Sequence, residues 1–403
     1  MGVAEQARRA YNKEFVRNGL PSLWFLLHRS AAMKLSCNRE KLHHAFQLAA
    51  SVAPTRSPKE ILHSIKLEAK DDEVLLTATD LESSIRIQVE QVDVQVPGTC
   101  LLNVVRVGNI LRELNDSQLE LETTDSGITL RGEHSEFHLP SANPDEYPVV
   151  AEFSESSYCE VPARLFREMV RRTSFATDTE NSRFALGGVL FEIAGDEITA
   201  VATDGRRLVR MIGSCKPVQG HKTTSPTTII PTKTLTLMER SIGDKDEVVH
   251  LAARSNDVVL RTPRATIQSC LVEGRFPNWR QVIPNRTSSI IIESNVGPFF
   301  SSVRQAAVVA DPESRGIDFK FGHGSMVVGS RTADVGQSRI ELPIPYTGET
   351  VHVMMDHRYV SDFCRVLDPD MTFQLDIQSA SDPALFRTED GMIYVVMPMA
   401  RDQ

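Results

Sequence analysis

Four carboxylates stand where metal or acid–base chemistry could use them: Asp71-Asp72, Asp80 and Asp204. Paired carboxylates can hold a divalent cation or divide the roles of acid and base. Asp71-Asp72, however, reads as a turn. Asp80 and Asp204 each close an Ala-Thr-Asp triplet, the two triplets lying 124 residues apart. Aspartates repeated at equivalent turns are better explained by side-chain bonds to their own backbone. The eleven histidines contain no His-Glu-x-x-His pattern. His134 and His138 alternate onto one strand face, and His352 and His357 straddle a strand–helix junction with no third ligand in view. Six scattered cysteines form no Cys-x-x-Cys pair, which suits reduced thiols in a cytosolic protein better than a disulfide framework or zinc site. No P-loop, nucleophile elbow or Gly-x-Gly-x-x-Gly run appears. The sequence therefore speaks against an enzyme, and no metal or cofactor is expected.

The stretch that does stand out is Val201–Leu208, Val-Ala-Thr-Asp-Gly-Arg-Arg-Leu. The run before it, from Glu197, and the run after it, to Ile212, are β-branched and alternating. Asp204-Gly205 between two such runs predicts a hairpin, because glycine supplies the positive φ of the turn without steric cost. On spacing alone, Arg206 and Arg207 are two solvated arginines at its tip.

The elements that position this turn repeat. Residues 1–32 form a loosely attached extension with a basic bias; an alternative places the natural start at Met33. From Met33 the periodicity predicts first helices beginning near 39, 162 and 298 and second helices near 104, 231 and 356. Short alternating strands lie between them. Asn38 is expected to cap the first helix, and Pro162 and Pro231 to sit in the first turns of theirs. The links Tyr147-Pro148 and Phe276-Pro277 match at the ends of the first two repeats. The expected domains are 33–152, 153–283 and 284–403, each two helices packed on antiparallel sheet, an α+β architecture.

Charge is segregated by element. The six predicted helices (38–51, 102–114, 162–175, 231–242, 297–310, 355–367) hold 13 Lys and Arg against six Asp and Glu, while the whole chain nets -9. Basic residues are good helix formers, which is the plain explanation. The functional one is a helical face that meets phosphate under an acidic exterior. Helices pack ~8–10 Å apart, so six in a ring enclose roughly 18 Å, too little for a duplex, and twelve enclose roughly 35 Å. That arrangement needs two chains joined head to tail. No run approaches the roughly 18 apolar residues of a membrane span.

At this point the residues resemble a known family, the bacterial DNA polymerase III beta subunit or sliding clamp. The resemblance covers Met33 to the C-terminus. It rests on Asn181-Ser182-Arg183-Phe184 followed by Phe191-Glu192, on Val201–Leu208, on Leu271-Val272-Glu273-Gly274-Arg275-Phe276-Pro277, and on Tyr394-Val395-Val396-Met397-Pro398-Met399. It implies a homodimeric ring of six similar domains whose helices line a channel around double-stranded DNA without regard to sequence. It also implies a cytoplasmic protein whose partners are the clamp loader, the replicative polymerase and repair proteins carrying a linear peptide. That peptide would enter an apolar groove lined by Leu186, Thr203, Gly205, Arg206, Arg207, Leu208, Pro277, Val282, Tyr346, Val395, Val396, Met397, Pro398 and Met399. Met and Pro give an adaptable apolar wall, Gly205 admits a ligand to the backbone, and arginines can hold polar peptide ends. The implied DNA contacts are Arg56, Arg183, Phe184 and Lys233, with Arg106 one residue from a family basic position. The helix pair Arg171 and Arg172 is expected to face the channel with them. Glu180 and Ala185 stand where the family often has Gln and Tyr, and Ala400–Gln403 is longer than its usual tail. The implied dimer contact sets Phe137 and Leu139 against Val308 and Val309 of a second copy. A three-repeat protein scaffold without nucleic acid would explain the repeat and the groove but not the basic helices.

Overall fold

The computed structural model describes residues 33–124, 127–150, 152–178, 185–223, 227–244, 246–286, 289–332 and 334–400. The chain divides into two compact units, one ending at Val150 and one beginning at Ala151.

The first unit contains β1 (Lys34–Asn38), α1 (Arg39–Ala50), β2 (Ser64–Lys70), β3 (Glu73–Thr79), β4 (Ser83–Val89), β5 (Val92–Val96), β6 (Gly98–Asn103), α2 (Val104–Glu113), β7 (Gln118–Thr124), β8 (Gly127–Arg131) and β9 (Glu136–Leu139). Its strands form an antiparallel sheet in the order β5-β1-β7-β8-β9 and an antiparallel run β4-β3-β2-β6. The helices α1 and α2 pack on each other and on this framework. Period-two alternation explains the burial: Leu35 and Cys37 of β1, and Ile65, Leu67 and Ala69 of β2, point inward while their neighbours do not.

The second unit holds two further repeats. The first comprises β10 (Tyr158–Pro162), α3 (Ala163–Thr173), β11 (Gly188–Ala194), β12 (Glu197–Thr203), β13 (Arg207–Ser214), β14 (Lys216–Val218), β15 (Ile229–Pro231), α4 (Thr232–Ser241), β16 (Val248–Ala253), β17 (Asp257–Arg261) and β18 (Ala265–Cys270). The second comprises β19 (Ile290–Asn295), α5 (Val296–Ala306), β20 (Gly316–Gly322), β21 (Ser325–Thr332), β22 (Gly336–Pro343), β23 (Val351–Asp356), α6 (His357–Arg365), β24 (Thr372–Ile377), β25 (Ala384–Thr388) and β26 (Ile393–Val396). A one-turn helix, Trp279–Val282, lies on the link between them. Eight strands in the order β15-β11-β12-β13-β26-β25-β24-β19 run through both repeats, joined where β13 pairs with β26. The helix pairs α3/α4 and α5/α6 each pack together. An aromatic cluster of Phe299, Phe319, Phe363, Phe373, Phe386 and Tyr394 fills the core of the last repeat.

A strand leads straight into each of these six helices, and its last residue is the cap. Asn38, Asn103 and Asp356 accept from the amides of Lys41, Arg106 and Arg358, satisfying donors the helix leaves open. One expectation is corrected here: Pro162 and Pro231 close strands and occupy the cap position instead of entering the first turn. The strands β5, β6, β10, β14, β15, β19 and β23 were not anticipated.

Candidate functional site

The β12–β13 turn is held by side-chain bonds to its own backbone. Asp204 Oδ1 accepts from Arg206 N at 2.9 Å and Arg207 N at 3.0 Å. Thr203 Oγ1 accepts from Gly205 N at 3.1 Å and donates to Arg207 O at 2.6 Å. Gly205 has φ +87°, in the region that favours glycine. The first unit builds the same turn: Asp80 Oδ1 accepts from Glu82 N and Ser83 N, and Thr79 Oγ1 accepts from Leu81 N while donating to Ser83 O. Leu81, at φ +79°, occupies the place of Gly205. The two aspartates are engaged in holding turns.

Beside the turn in the second unit lies an open cavity with about 500 Å³ of empty space. It is lined by Leu186, Thr203, Gly205, Arg206, Arg207, Leu208, Pro277, Trp279, Val282, Val395 and Met397. Buried apolar side chains form its floor, Leu190, Val201, Leu385 and Ile393 among them. Strand alternation decides who faces it. Leu208 pairs with Val395, and both point to the groove. Arg207 pairs with Val396, one residue out of phase, so both side chains point to the opposite face. Met397 N donates to Arg206 O at 3.0 Å and ties the end of β26 to the turn. Trp279 was not singled out in the sequence; its place directly after the Phe276-Pro277-Asn278 link was the available signal. Its ring lies under the Arg280 guanidinium, 4.2 Å from the centroid, and Arg280 pairs with Glu192 of β11 at 2.8 Å.

Four of the residues expected at the groove, Val396, Tyr346, Pro398 and Met399, are not among those that line this cavity. Val396 is fully buried on the helix-facing side. Tyr346 donates its hydroxyl to Glu349 O. Pro398 and Met399 follow the groove residues, but Met399 N donates to Met354 O at 2.8 Å and so runs along β23. The Arg207 side chain is also not at hand for a ligand. It bonds Asp204 at 2.9 Å, Asp362 of α6 at 2.7 Å and Phe175 O at 2.6 Å. It lies between the rings of Phe175 and Tyr359, at 5.3 and 4.6 Å. Arg206, by contrast, is exposed.

The expected DNA-contacting cations divide likewise. Arg56 and Arg106 are exposed in the first unit, Arg171 and Lys233 on α3 and α4 of the second. Arg172 is a correction. Its side chain is 6% exposed and engaged by Glu168 and by Asp390 of the β25–β26 turn, so it locks α3 to the sheet. Helix spacing turns Arg171 outward and its neighbour inward. Arg164, Arg240 and Arg304 are further exposed helix cations that the sequence reading did not select. Arg183 and Phe184 lie outside the described residues. Phe137 and Leu139 are half-buried on β9, an edge strand, and Val308 is 77% exposed beside β22, another edge. Burial pushes the thiols of Cys37, Cys100 and Cys364 up to about 12. Among the described residues no three His, Cys, Asp or Glu side chains gather to hold a metal ion, and no helix is long and apolar enough to cross a membrane.

A repeated α+β framework with an apolar groove and outward helix cations defines a binding platform. Comparison with known proteins gives it a family. Sequence models of the N-terminal, central and C-terminal domains of the DNA polymerase III beta subunit match residues 33–151, 160–278 and 280–400. The beta sliding clamp of Chlamydia muridarum is 25% identical over 368 residues, covering 91% of this chain and 99% of that protein. That of Caulobacter vibrioides is 27% identical over 375 residues, covering 91% and 100%. The sliding clamp structure from Bacillus subtilis superposes with a TM-score of 0.84 at 22% identity, covering 92% and 100%. The chain belongs to the DNA polymerase III beta subunit family, the bacterial beta sliding clamps. Membership makes it a processivity factor and not a catalyst.

Proposed function

We infer that two copies of this chain close head to tail into a ring around duplex DNA and tether the replicative polymerase, the clamp loader and other proteins through a linear peptide. The ring comprises three domains per chain, 33–152, 153–283 and 284–403, and works in the cytoplasm. The observation that carries the peptide site is the groove beside Asp204–Arg206, floored by buried apolar side chains and walled by Pro277, Trp279, Val282 and Met397. Arg206 is the exposed cation at its rim. Sequence-independent DNA contact falls to Arg56, Arg106, Arg171 and Lys233, with Arg183 and Phe184 nearby in sequence. The dimer joins the edge at Phe137 and Leu139 to the edge at Val308 and Val309 of the second copy. Exposed edge strands β9 and β22 are suited to such pairing, since each carries unpaired backbone groups.

The test is topological. Once a loader has placed it, a closed ring stays on nicked circular DNA and slides off linear DNA. Equal retention on both overturns the ring. Ordinary groove binding is lost from both alike as salt rises.

A further inference from the structure

The groove face of the eight-stranded sheet does not end at Leu208 and Val395. Two residues along each strand, on the same face, Arg210 of β13 pairs with Ile393 of β26, and Ile393 pairs on its other side with Arg387 of β25. Ile393 belongs to the apolar cluster under the groove. The row is therefore a continuation of the groove floor, flanked by two guanidiniums.

These two cations outnumber their counter-charges. Among the described residues Arg387 has one carboxylate within reach, Asp376 at 3.8 Å, and Asp376 is already held at 2.8 Å by the buried Arg286. Arg210 is half-buried, has no carboxylate within 4 Å among the described residues, and its Nε is shut off from solvent with no acceptor. The proximity of Arg387 and burial both push the Arg210 pKa down, burial more strongly, and Glu197 opposes them. Glu197 is exposed and makes no ion pair among the described residues, and Glu192, on the same face, is engaged by Arg280. A half-buried excess of positive charge with an orphaned donor is costly unless an anion arrives.

We propose that Arg210 and Arg387 form an acid-reading subsite at the end of the groove, which takes a carboxylate of the bound peptide. The inference rests on the groove being the peptide site. Strand rise sets the spacing: two residues span ~7 Å, so an acidic residue about two positions from the apolar anchor of an extended peptide reaches the pair. DNA phosphate is the less suitable occupant, because Arg207 and Tyr394 face α6 on the other side of the sheet, and Arg210 faces away from that helix.

The experiment uses the full chain and two fluorescein-labelled peptides with a central Leu-Leu anchor between glycines. One carries Asp two residues to each side, the other Asn. Fluorescence anisotropy is read for the native protein, Arg210→Gln, Arg387→Gln and the double variant, with a thermal scan of each to show that it is folded. Arg387→Gln leaves Asp376 with Arg286 and keeps the test open should Arg210→Gln fail to fold. The native protein prefers the Asp peptide by about tenfold, as expected of one charge-assisted contact. The preference shrinks in the Arg387→Gln variant and vanishes in the double, while affinity for the Asn peptide holds. Equal binding of the two peptides by the native protein overturns the subsite and leaves the groove standing. Competition of the Asp peptide by a short DNA duplex likewise overturns it, assigning the pair to phosphate. Failure of both peptides to bind overturns the groove reading itself.

Discussion

Arg206 and Arg207 are adjacent and chemically identical, yet the structure gives them opposite roles, and alanine at each position separates those roles. The Arg207 side chain is 10% exposed, with Asp204 and Asp362 at 16% and 24%. Truncating one member of a buried, hydrogen-bonded charge cluster costs ~3–5 kcal/mol, and the partial exposure of the carboxylates brings this to about 2–4 kcal/mol. For a unit of this size 1 kcal/mol moves the midpoint by about 2–4 °C, so Arg207→Ala lowers the Tm by roughly 5–15 °C. Arg206 is exposed, and its truncation changes stability by no more than about 0.5 kcal/mol. Peptide affinity reverses the order. Arg206→Ala weakens binding several-fold, whereas Arg207→Ala, assayed well below its midpoint, leaves the turn held by Asp204 and Thr203 and affinity nearly intact. Calorimetry paired with peptide anisotropy reads both quantities. A Tm for Arg207→Ala within 1 °C of the native value, or an equal loss for Arg206→Ala, refutes the latch. A control strengthens the inference: Arg207→Met with Asp362→Leu replaces the ion pair by apolar volume and recovers most of the stability lost by Arg207→Ala.

Leu81→Gly stabilises the first unit by about 0.5–1 kcal/mol, because Leu81 is held at φ +79° and is 54% exposed; the urea midpoint reports it. Arg171→Glu lowers the salt sensitivity of duplex binding by about one unit of slope with the fold intact, whereas Arg172→Glu places a carboxylate beside Glu168 and Asp390 and melts the second unit instead. Deleting residues 397–403 abolishes peptide binding in anisotropy while circular dichroism keeps its native form, since β26 ends at Val396. Acid weakens the second unit through His221. Its Nε2 accepts from Ala253 N at 3.1 Å and its Nδ1 meets Ser157 Oγ at 3.1 Å, and burial lowers its pKa against a smaller opposing pull from Glu155. The unfolded chain then binds the proton first, so stability is full above the ordinary histidine value of about 6.5 and falls as pH drops through the folded value. His221→Gln flattens that part of the pH–Tm curve.

The repeat, the six main helices and the hairpin were legible because each rests on local chemistry: periodic apolar residues, asparagine caps, and Asp-Gly between alternating runs. What escaped was strand that carries proline or sits at an edge. Lys216-Pro217-Val218 carries no alternating pattern and Pro231 reads as the opening of a helix, yet Lys216–Val218 and Ile229–Pro231 form the outermost strands β14 and β15 of their sheets, where a missing amide is tolerated. Which arginine is buried was equally out of reach. Arg172 finds Asp390 218 residues away and Arg207 finds Asp362 155 residues away, and nothing in the local pattern of either names its partner. Helix spacing could have shown that Arg171 and Arg172 cannot share a face, but not which of them turns inward.

The groove depends on register more than on composition. Both units make the Thr-Asp turn with the same bonds, but in the second unit the chain returns after nearly two hundred residues to lay β26 along β13. Pairing Leu208 with Val395 and Arg207 with Val396 sends the two apolar side chains to the groove and the guanidinium to its carboxylates on the helix side. A slip of one residue would turn β26 over, exposing Val396 in the groove and driving Val395 against the latch. The Arg207–Asp362 pair resists that slip, because the guanidinium must meet α6 from the face that Val396 shares. One strand pairing thus divides three consecutive residues among three tasks: Arg206 to solvent at the rim, Arg207 to the core as a latch, and Leu208 to the groove.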